Sequence, residues 1–527
     1  MIHTSPDKPV SIPERSLTDF VFQNAGQYPD RPALVDGPTG RTLTFAQLTG
    51  AIRQVAAGLA ARGFKKGDVL AIYSPNLPEY AVVFHAVSTL GGINTTINPL
   101  YTVEELTNQL KDANARWMVT IGMFLDKARE AATAAGIQEV FTLDGAPAST
   151  PFTDLMKHGD QPPAVTLNPK EDLVALPYSS GTTGLPKGVM LTHHNLVANL
   201  CQVTGFTDPM VVSENSTVIG LLPFFHIYGM TVIMNFALYR GAKVVTMPKF
   251  ELEPFLKLMQ DYKVTHGYLV PPIVLALGKH PLVSQYDLSA LKIIMCGAAP
   301  LGEGQAKETS ERLGCIVRQG YGLTETSPVT HMSPSDKKRL RQASIGFGLP
   351  NTETMVVDIM TGKPLGPRQE GEIWIRGPQV MKGYLNRPEA TAQVIDKLGW
   401  FHTGDIGYAD EDGYFYIVDR LKELIKYKGM QVAPAELEAL LLTHPAVMDT
   451  AVIPSPDEEA GEVPKAFVVL KAGQQVAAEA IMAFIAERVA PHKRIRLLEF
   501  AQQIPKSASG KILRRVLVDQ ERKRVAV

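Results

Sequence analysis

The sequence predicts an α/β protein. A large N-terminal domain of two layered αβ subdomains and a β-rich subdomain precedes a small α+β C-terminal domain. Three observations lead there. The chain has 527 residues, more than one hydrophobic core supports. Short apolar runs alternate with helical patterns over most of its length, the mark of βαβ units. From about Thr354 the apolar residues instead alternate one by one, as in half-exposed strands.

Taken in order, Val69–Tyr73 reads as a buried strand and Tyr80–Leu90 as the helix after it. Further buried strands are expected at Trp117–Ile121, Leu173–Pro177, Val218–Leu222, Lys243–Thr246 and Ile293–Cys296, and another ending near Gln319. Helices are expected between them at His194–Val203, Met230–Tyr239, Glu253–Tyr262 and Glu303–Leu313. Such units form largely parallel sheets, whose ligands sit beyond the carboxyl ends of the strands. Met355–Asp358 and Gly371–Gly377 open the β-rich part, and Asp412-Gly413 marks a hairpin between Phe401–Tyr408 and Tyr414–Val418. A charged stretch, Asp419–Gly429, then leads into new helix and strand patterns. The expected domains are therefore 1–420 and 421–527, the second of ordinary domain size.

Hydrophobic residues make up 45% and charged residues 20%, with a net charge of −1. A nucleic-acid partner needs clustered positive surface, and none is expected here. The basic stretch from Lys511 to Arg524 also holds Asp519 and Glu521 and reads as a solvated helix face. Three cysteines (Cys201, Cys296 and Cys315) have no zinc or redox spacing. No apolar run is long enough for a signal core or a membrane span. A soluble cytoplasmic protein, monomer or homodimer, is expected.

The first chemical signal is YSSGTTGLPKGV at Tyr178–Val189. A buried strand runs into Ser179, Ser180, Gly181, Thr182, Thr183 and Gly184, with Lys187 closing the loop. Small residues let backbone N–H groups turn inward as an anion nest, and the hydroxyls add rotatable donors. Lys187 brings a positive charge, and Thr192 is placed to cap the following helix. The spacing is not Walker A, because Gly184 follows Gly181 too soon and Gly188 stands where Ser or Thr is required. The loop reads as a phosphate cradle of another kind.

That segment resembles the signature of the adenylate-forming superfamily, which includes acyl- and aryl-CoA ligases. Further marks follow in the order typical of that family: PFFH at Pro223–His226, CGAAP at Cys296–Pro300 and YGLTE at Tyr321–Glu325. Then come GEIWIRG at Gly371–Gly377, TGD at Thr403–Asp405, DRLKELIKYKG at Asp419–Gly429 and PKSASGK at Pro505–Lys511.

The resemblance implies ATP, Mg²⁺ and coenzyme A, with a small carboxylic acid as the remaining partner. Glu325 would hold Mg²⁺, a hard cation suited to an oxygen ligand. Asp405 would accept the ribose hydroxyls, with Arg420 assisting. Ala298, Ala299 and Tyr321 would sandwich adenine, and Gln319, Gly320, Gly322 and Thr324 would complete the nucleotide site. His226 would line the carboxylate site and help gate the CoA channel. Lys511 would lie between the substrate carboxylate and the α-phosphate during adenylation. In relatives the C-terminal domain then swings about a hinge matching Lys422. The swing would exchange Lys511 for Lys426 and Gln431, with Lys428 and Gly429 along the CoA channel.

The subgroup it most resembles is that of 4-coumarate–CoA ligases. By that analogy the acyl pocket is lined by Ile227, Tyr228, Thr231, Met295 and Gly297. Ala298, Gly320, Gly322, Pro328 and Val329 complete its wall. Plant members usually have Lys where this chain has Met295, and Met cannot donate to a phenol. The residue favours an unhydroxylated or flexible acid. The expected activity is an acid–CoA ligase acting on a cinnamate-type aryl acid. A medium- or long-chain fatty acyl–CoA ligase is the alternative, and a non-catalytic acyl-adenylate-binding protein the alternative of another class.

Overall fold

The computed structural model describes residues 1–179, 186–208, 210–428, 430–457, 459–507 and 510–525. Two nine-stranded sheets form the bulk of the N-terminal part among these residues. In the first, Val69–Ile72 lies between Ile93–Thr96 and Ala115–Thr120, all parallel. In the second, Thr217–Gly220, His266–Leu269, Ile293–Cys296 and Ile316–Gly322 run parallel side by side.

The helix Pro78–Thr89 is buried on nearly every side, including Tyr80, Val83 and Phe84. Such a helix belongs between layers rather than at a surface. Tyr80 meets Phe224 edge to face at 5.7 Å, so this helix of the first layer carries the PFFH loop of the second. Asn76 fixes the same loop. Its amide nitrogen donates to the Gly220 and Leu222 carbonyls at 2.9 Å, and its oxygen accepts from Phe224 N–H at 2.7 Å. No helix of the described residues is long and apolar enough to cross a membrane.

A third, antiparallel sheet orders His3–Thr4, Glu353–Val357, Gly371–Arg376, Phe401–Ala409 and Phe415–Arg420. The Asp412-Gly413 turn joins its last two strands, with Gly413 at φ 82°. The C-terminal part builds its own sheet on the long hairpin of Val447–Asp457 and Gly461–Leu470. Its separate core includes Ile425, Leu437, Val452, Val468 and Ile481. The molecule is thus a large α/β N-terminal domain with a smaller α+β C-terminal domain.

Two local expectations are corrected. Met230–Tyr239 is not one regular helix, because Tyr228–Asn235 is wound wider, as a π-helix, before an α turn at Phe236–Tyr239. Its first turn packs hard on the PFFH loop, where a Cβ at Gly229 would lie 2.2 Å from the Pro223 carbonyl oxygen. The strand expected to end near Gln319 continues to Gly322, since it finds an antiparallel partner in Val329–Met332. The terminal helix, Arg514–Val525, has the expected solvated face, with Arg515, Asp519, Arg522 and Lys523 exposed. Its Leu517 and Glu521 are buried, and Glu521 accepts hydrogen bonds from Ser455 (2.8 Å) and Lys465 (2.5 Å).

Candidate active site

One continuous cleft of about 2240 Å³ opens beyond the carboxyl ends of the second sheet. Residues of both domains line it, Lys511 and Asp405 among them. A pocket for one small ligand is typically about 300–1,000 Å³, so this cleft has room for more than one.

At the end expected to take phosphate, Ser179 and Lys187 stand on paired strands, Tyr178–Ser179 and Lys187–Thr192. Ser180, Gly181, Thr182, Thr183 and Gly184 lie outside the described residues. Thr192 caps the helix His193–Gly205 in a reciprocal capping box with Asn195, fixing the exit of the loop. The Lys187 ammonium lies 5.0 Å from the centre of the Tyr384 ring. Glu325 is buried, and its Oε1 accepts hydrogen bonds from the hydroxyls of Ser179 and Tyr384, each at 2.9 Å. Its Oε2 accepts none among the described residues, so an oriented carboxylate oxygen remains for a cation. No group of three or more His, Cys, Asp or Glu that could hold a metal ion occurs among the described residues. Any metal here would complete its shell with phosphate and water oxygens, as Mg²⁺ commonly does.

The end expected to take the nucleoside is shaped by the Gly297-Ala298-Ala299 turn and by Tyr321. Ala298 sits at φ 68°, a left-handed conformation uncommon for a residue with a side chain. Gln319 is buried, and its amide is committed to both backbone groups of Leu301 (2.9 and 3.1 Å) and to the Gln342 carbonyl (2.5 Å). It therefore anchors the turn instead of presenting its amide to a nucleotide. Tyr321 donates to Asp405 at 2.5 Å, and Arg420 Nε stands 3.6 Å from the other carboxylate oxygen. Burial raises the Asp405 pKa, opposed by Arg420 and by the Tyr321 hydrogen bond. Gly320, Gly322 and Thr324 line the same end. A Cβ at Gly322 would come 1.9 Å from the Pro328 carbonyl oxygen, so the YGLTE turn closes only over glycine.

Lys511 reaches this cleft from the C-terminal domain. Its loop lies against the N-terminal domain, where a Cβ at Gly510 would stand 3.1 Å from Val270 Cγ2. Burial pushes the Lys511 ammonium down to about 8, reinforced by Arg420 and opposed by Glu423 and Asp405. It makes no hydrogen bond among the described residues. Burial, with the Lys511 charge nearby, pushes His226 down to about 4 and keeps it neutral near pH 7. Its Nδ1 accepts from Tyr228 N–H at 3.2 Å, which assigns the ring proton to Nε2.

Of the residues expected to line the acyl side, Ile227, Tyr228, Met295, Gly297, Pro328 and Val329 line the cleft. Thr231, expected there, is buried and off the cleft wall. The wider winding after Tyr228 turns it away, and Val232 and Phe236 line the cleft in its place. Lys422 is exposed in the turn between Phe415–Arg420 and Ile425–Tyr427, and Lys426 and Gln431 pair across an exposed hairpin. The Lys428 ammonium is salt-bridged to Glu459 and does not line the cleft. Gly429 lies outside the described residues. The captured arrangement thus has Lys511 inside and the expected second-step residues at the rim.

Residues 21–385 match the AMP-binding enzyme family, and residues 436–511 match the AMP-binding enzyme C-terminal domain. The chain belongs to the AMP-binding enzyme family. Among curated proteins it is 45% identical over 516 residues to a 4-coumarate–CoA ligase of Vanilla planifolia, covering 95% of this chain and 92% of that one. It is 46% identical over 512 residues to 4-coumarate–CoA ligase 1 of Petroselinum crispum, covering 95% and 93%. Among solved structures it matches the anthranilate CoA ligase AuaEII in complex with anthranoyl-AMP, with TM-score 0.90, 26% identity and 98% coverage of both chains. ATP-bound MatB from Rhodopseudomonas palustris matches with TM-score 0.88 and 29% identity, covering 96% of this chain and 99% of that one.

Reading the sequence of this AMP-binding enzyme missed Tyr384, which holds Glu325 from a short strand, Gly383–Tyr384, paired with Lys187–Thr192. It also missed Arg318 and Tyr268, which flank Met295 on adjoining strands. None of the three belongs to a local motif, and only strand register brings them to the cleft.

Proposed function

We propose that this AMP-binding enzyme is an ATP-dependent acid–CoA ligase for a cinnamate-type aryl acid, forming an acyl-adenylate and then a thioester. The observation that carries the reading is a buried ammonium, Lys511, facing a cleft that also holds Glu325 and the Asp405–Arg420 pair. Joining a carboxylate to ATP brings two anions together, so fixed positive charge matters more than an acid–base pair.

In the first step a carboxylate oxygen attacks the α-phosphorus and pyrophosphate leaves. Lys511 neutralises charge between the two anions, Lys187 attends the departing phosphates, and neutral His226 offers its Nε2–H to the carboxylate. Asp405 and Arg420 fix the ribose. Mg²⁺, when bound, screens the phosphate charge, and the free oxygen of Glu325 is the ligand this chain offers it. In the second step the CoA sulfur attacks the acyl carbon and AMP leaves. Rotation about Lys422 withdraws Lys511 and brings Lys426 and Gln431 in, with Lys428 and Gly429 along the pantetheine path. The division into 1–420 and 421–527 follows from the same hinge.

The aryl assignment draws on the identity to 4-coumarate–CoA ligases across nearly the whole chain. A medium- or long-chain fatty acid is the second reading, favoured by the apolar wall of Val212, Val232 and Phe236. The deciding experiment measures pyrophosphate release with ATP and Mg²⁺ across cinnamates, benzoates and C4–C16 fatty acids, with and without CoA. Thioester formed only from aryl acids supports the proposal. Adenylate without thioester, or turnover of alkyl acids alone, would overturn it.

A further inference from the structure

Met295 by itself makes the acyl pocket look apolar, but its neighbours across the sheet are not. Tyr268, Met295 and Arg318 are register partners on three adjacent parallel strands, and all three line the cleft. Neighbours in register share a face, so they form one row across the pocket. The row lies two residues deeper than Gly297 and Gly320, away from the nucleotide.

Arg318 is a buried cation, with its side chain 5% exposed. Both of its hydrogen bonds come from one terminal nitrogen, to the Asp208 carboxylate and to the Ser333 carbonyl at 2.9 Å. Its Nε is buried and without a partner, and its second terminal nitrogen donates to nothing among the described residues. Asp208, by contrast, is satisfied. It accepts from Arg318, the Ser335 hydroxyl and Met210 N–H (2.8 Å). The Tyr228 hydroxyl is also used, donating to the Met295 carbonyl at 3.0 Å, whereas that of Tyr268 has no hydrogen-bond partner among the described residues.

Buried donors left unpaired are costly, and native proteins rarely keep them without a use. The Arg318 Nε–H is in that position, and the second terminal nitrogen of Arg318 and the Tyr268 hydroxyl stand beside it, without a hydrogen-bond partner among the described residues, on the wall of the cleft. Asp208 already balances the Arg318 charge, so the missing partner is a neutral acceptor and not a second carboxylate.

We infer that Arg318 and Tyr268 form a specificity subsite that selects acids carrying a neutral hydrogen-bond acceptor, such as an ether or carbonyl oxygen, at the end remote from the carboxylate. The inference rests on the acid–CoA ligase reading and names the substrate class of that same pocket. Arg318 supplies the donor that Met295 lacks, and the unhydroxylated tail favoured by Met295 alone gives way to one with an oxygen at its end.

The test compares 4-methoxycinnamate with 4-ethylcinnamate, which differ by one oxygen for one methylene, in thioester formation by the full-length protein. If the acid panel selects alkyl acids, a terminal methoxyalkanoate is compared with the alkanoate of equal length. The expected result is at least a roughly tenfold higher kcat/KM for the oxygen-bearing acid. Tyr268→Phe should reduce that ratio severalfold, through a raised KM for the oxygen-bearing acid. The charge-neutral double variant Asp208→Asn/Arg318→Met should abolish the preference. Should the double variant fail to fold, Tyr268→Phe alone decides, since its hydroxyl supports no other group. Equal turnover of the two acids, or a preference that neither variant moves, overturns the inference and leaves the ligase intact. Absence of pyrophosphate release and thioester with every acid overturns both.

Discussion

The hydroxyl of Tyr321 donates to the carboxylate of Asp405 at 2.5 Å, tying an inner strand of the second sheet to the antiparallel sheet across the cleft. With Arg420 3.6 Å from its other oxygen, Asp405 is oriented before any ligand arrives. Asp405→Ala should raise the KM for ATP by about 10–100-fold, the loss of two charge-assisted hydrogen bonds. Tyr321→Phe removes only the orienting bond and should cost a smaller factor, about 3–10-fold. Steady-state kinetics at saturating acid and CoA checks both.

Lys511 brings an ammonium of the C-terminal domain into the cleft, where its surroundings lower its pKa. Lys511→Ala should lower adenylation by about 10²–10³-fold, the scale for removing one electrostatic stabiliser of a transition state. Thioester formation from a presynthesised acyl-adenylate should stay near the wild-type rate. Measuring the half-reactions separately checks this, and equal losses in both would contradict the role.

The same ammonium sets a pH dependence. Burial holds Lys511 near 8, and its protonated form carries the needed charge. For adenylation, kcat/KM should therefore fall as pH rises through about 8. Bound ATP is anionic and favours the protonated form, so the fall in kcat should lie at higher pH. Asp405 has a raised pKa through burial, so affinity for ATP should weaken on the acid side sooner than for a surface carboxylate. A pH–rate profile of pyrophosphate release, repeated for Lys511→Arg, checks the assignment. The basic limb should move out of range in that variant.

Glu325 offers one carboxylate oxygen to a cation while Ser179 and Tyr384 hold the other. Glu325→Gln keeps a carbonyl oxygen for those two hydroxyls but removes the charge. The Mg²⁺ concentration giving half-maximal adenylation should rise about tenfold, with the fold unchanged by circular dichroism. An unaltered Mg²⁺ requirement would show that the metal is held elsewhere.

Gly322 lies where a Cβ would come 1.9 Å from the Pro328 carbonyl oxygen. Backbone cannot yield there as a flexible side chain would. Gly322→Ala should destabilise by about 1–3 kcal/mol or more and open the turn that carries Glu325. A lowered thermal midpoint together with a raised KM for ATP is the expected signature.

The sequence by itself determined the fold class, the switch to antiparallel strands after Thr354 and the candidate site residues that sit in contiguous loops. Ser179 and Lys187 were legible because turn chemistry, small residues and charge are concentrated in one loop, whereas Tyr321, Glu325, Asp405 and Lys511 stood out only through the resemblance of their motifs to the adenylate-forming superfamily. The tertiary structure alone decided which of them meet. It turned Thr231 off the wall through a wide helical turn, committed Gln319 to a backbone anchor, and held Lys511 inside while Lys426 and Gln431 stay exposed. It also set Arg318 beside Met295, 23 residues away in sequence, and Tyr268 on the other side. Those pairings come from parallel register between strands separated by whole helices. Local pattern carries no record of register, because any buried apolar strand of similar length satisfies it.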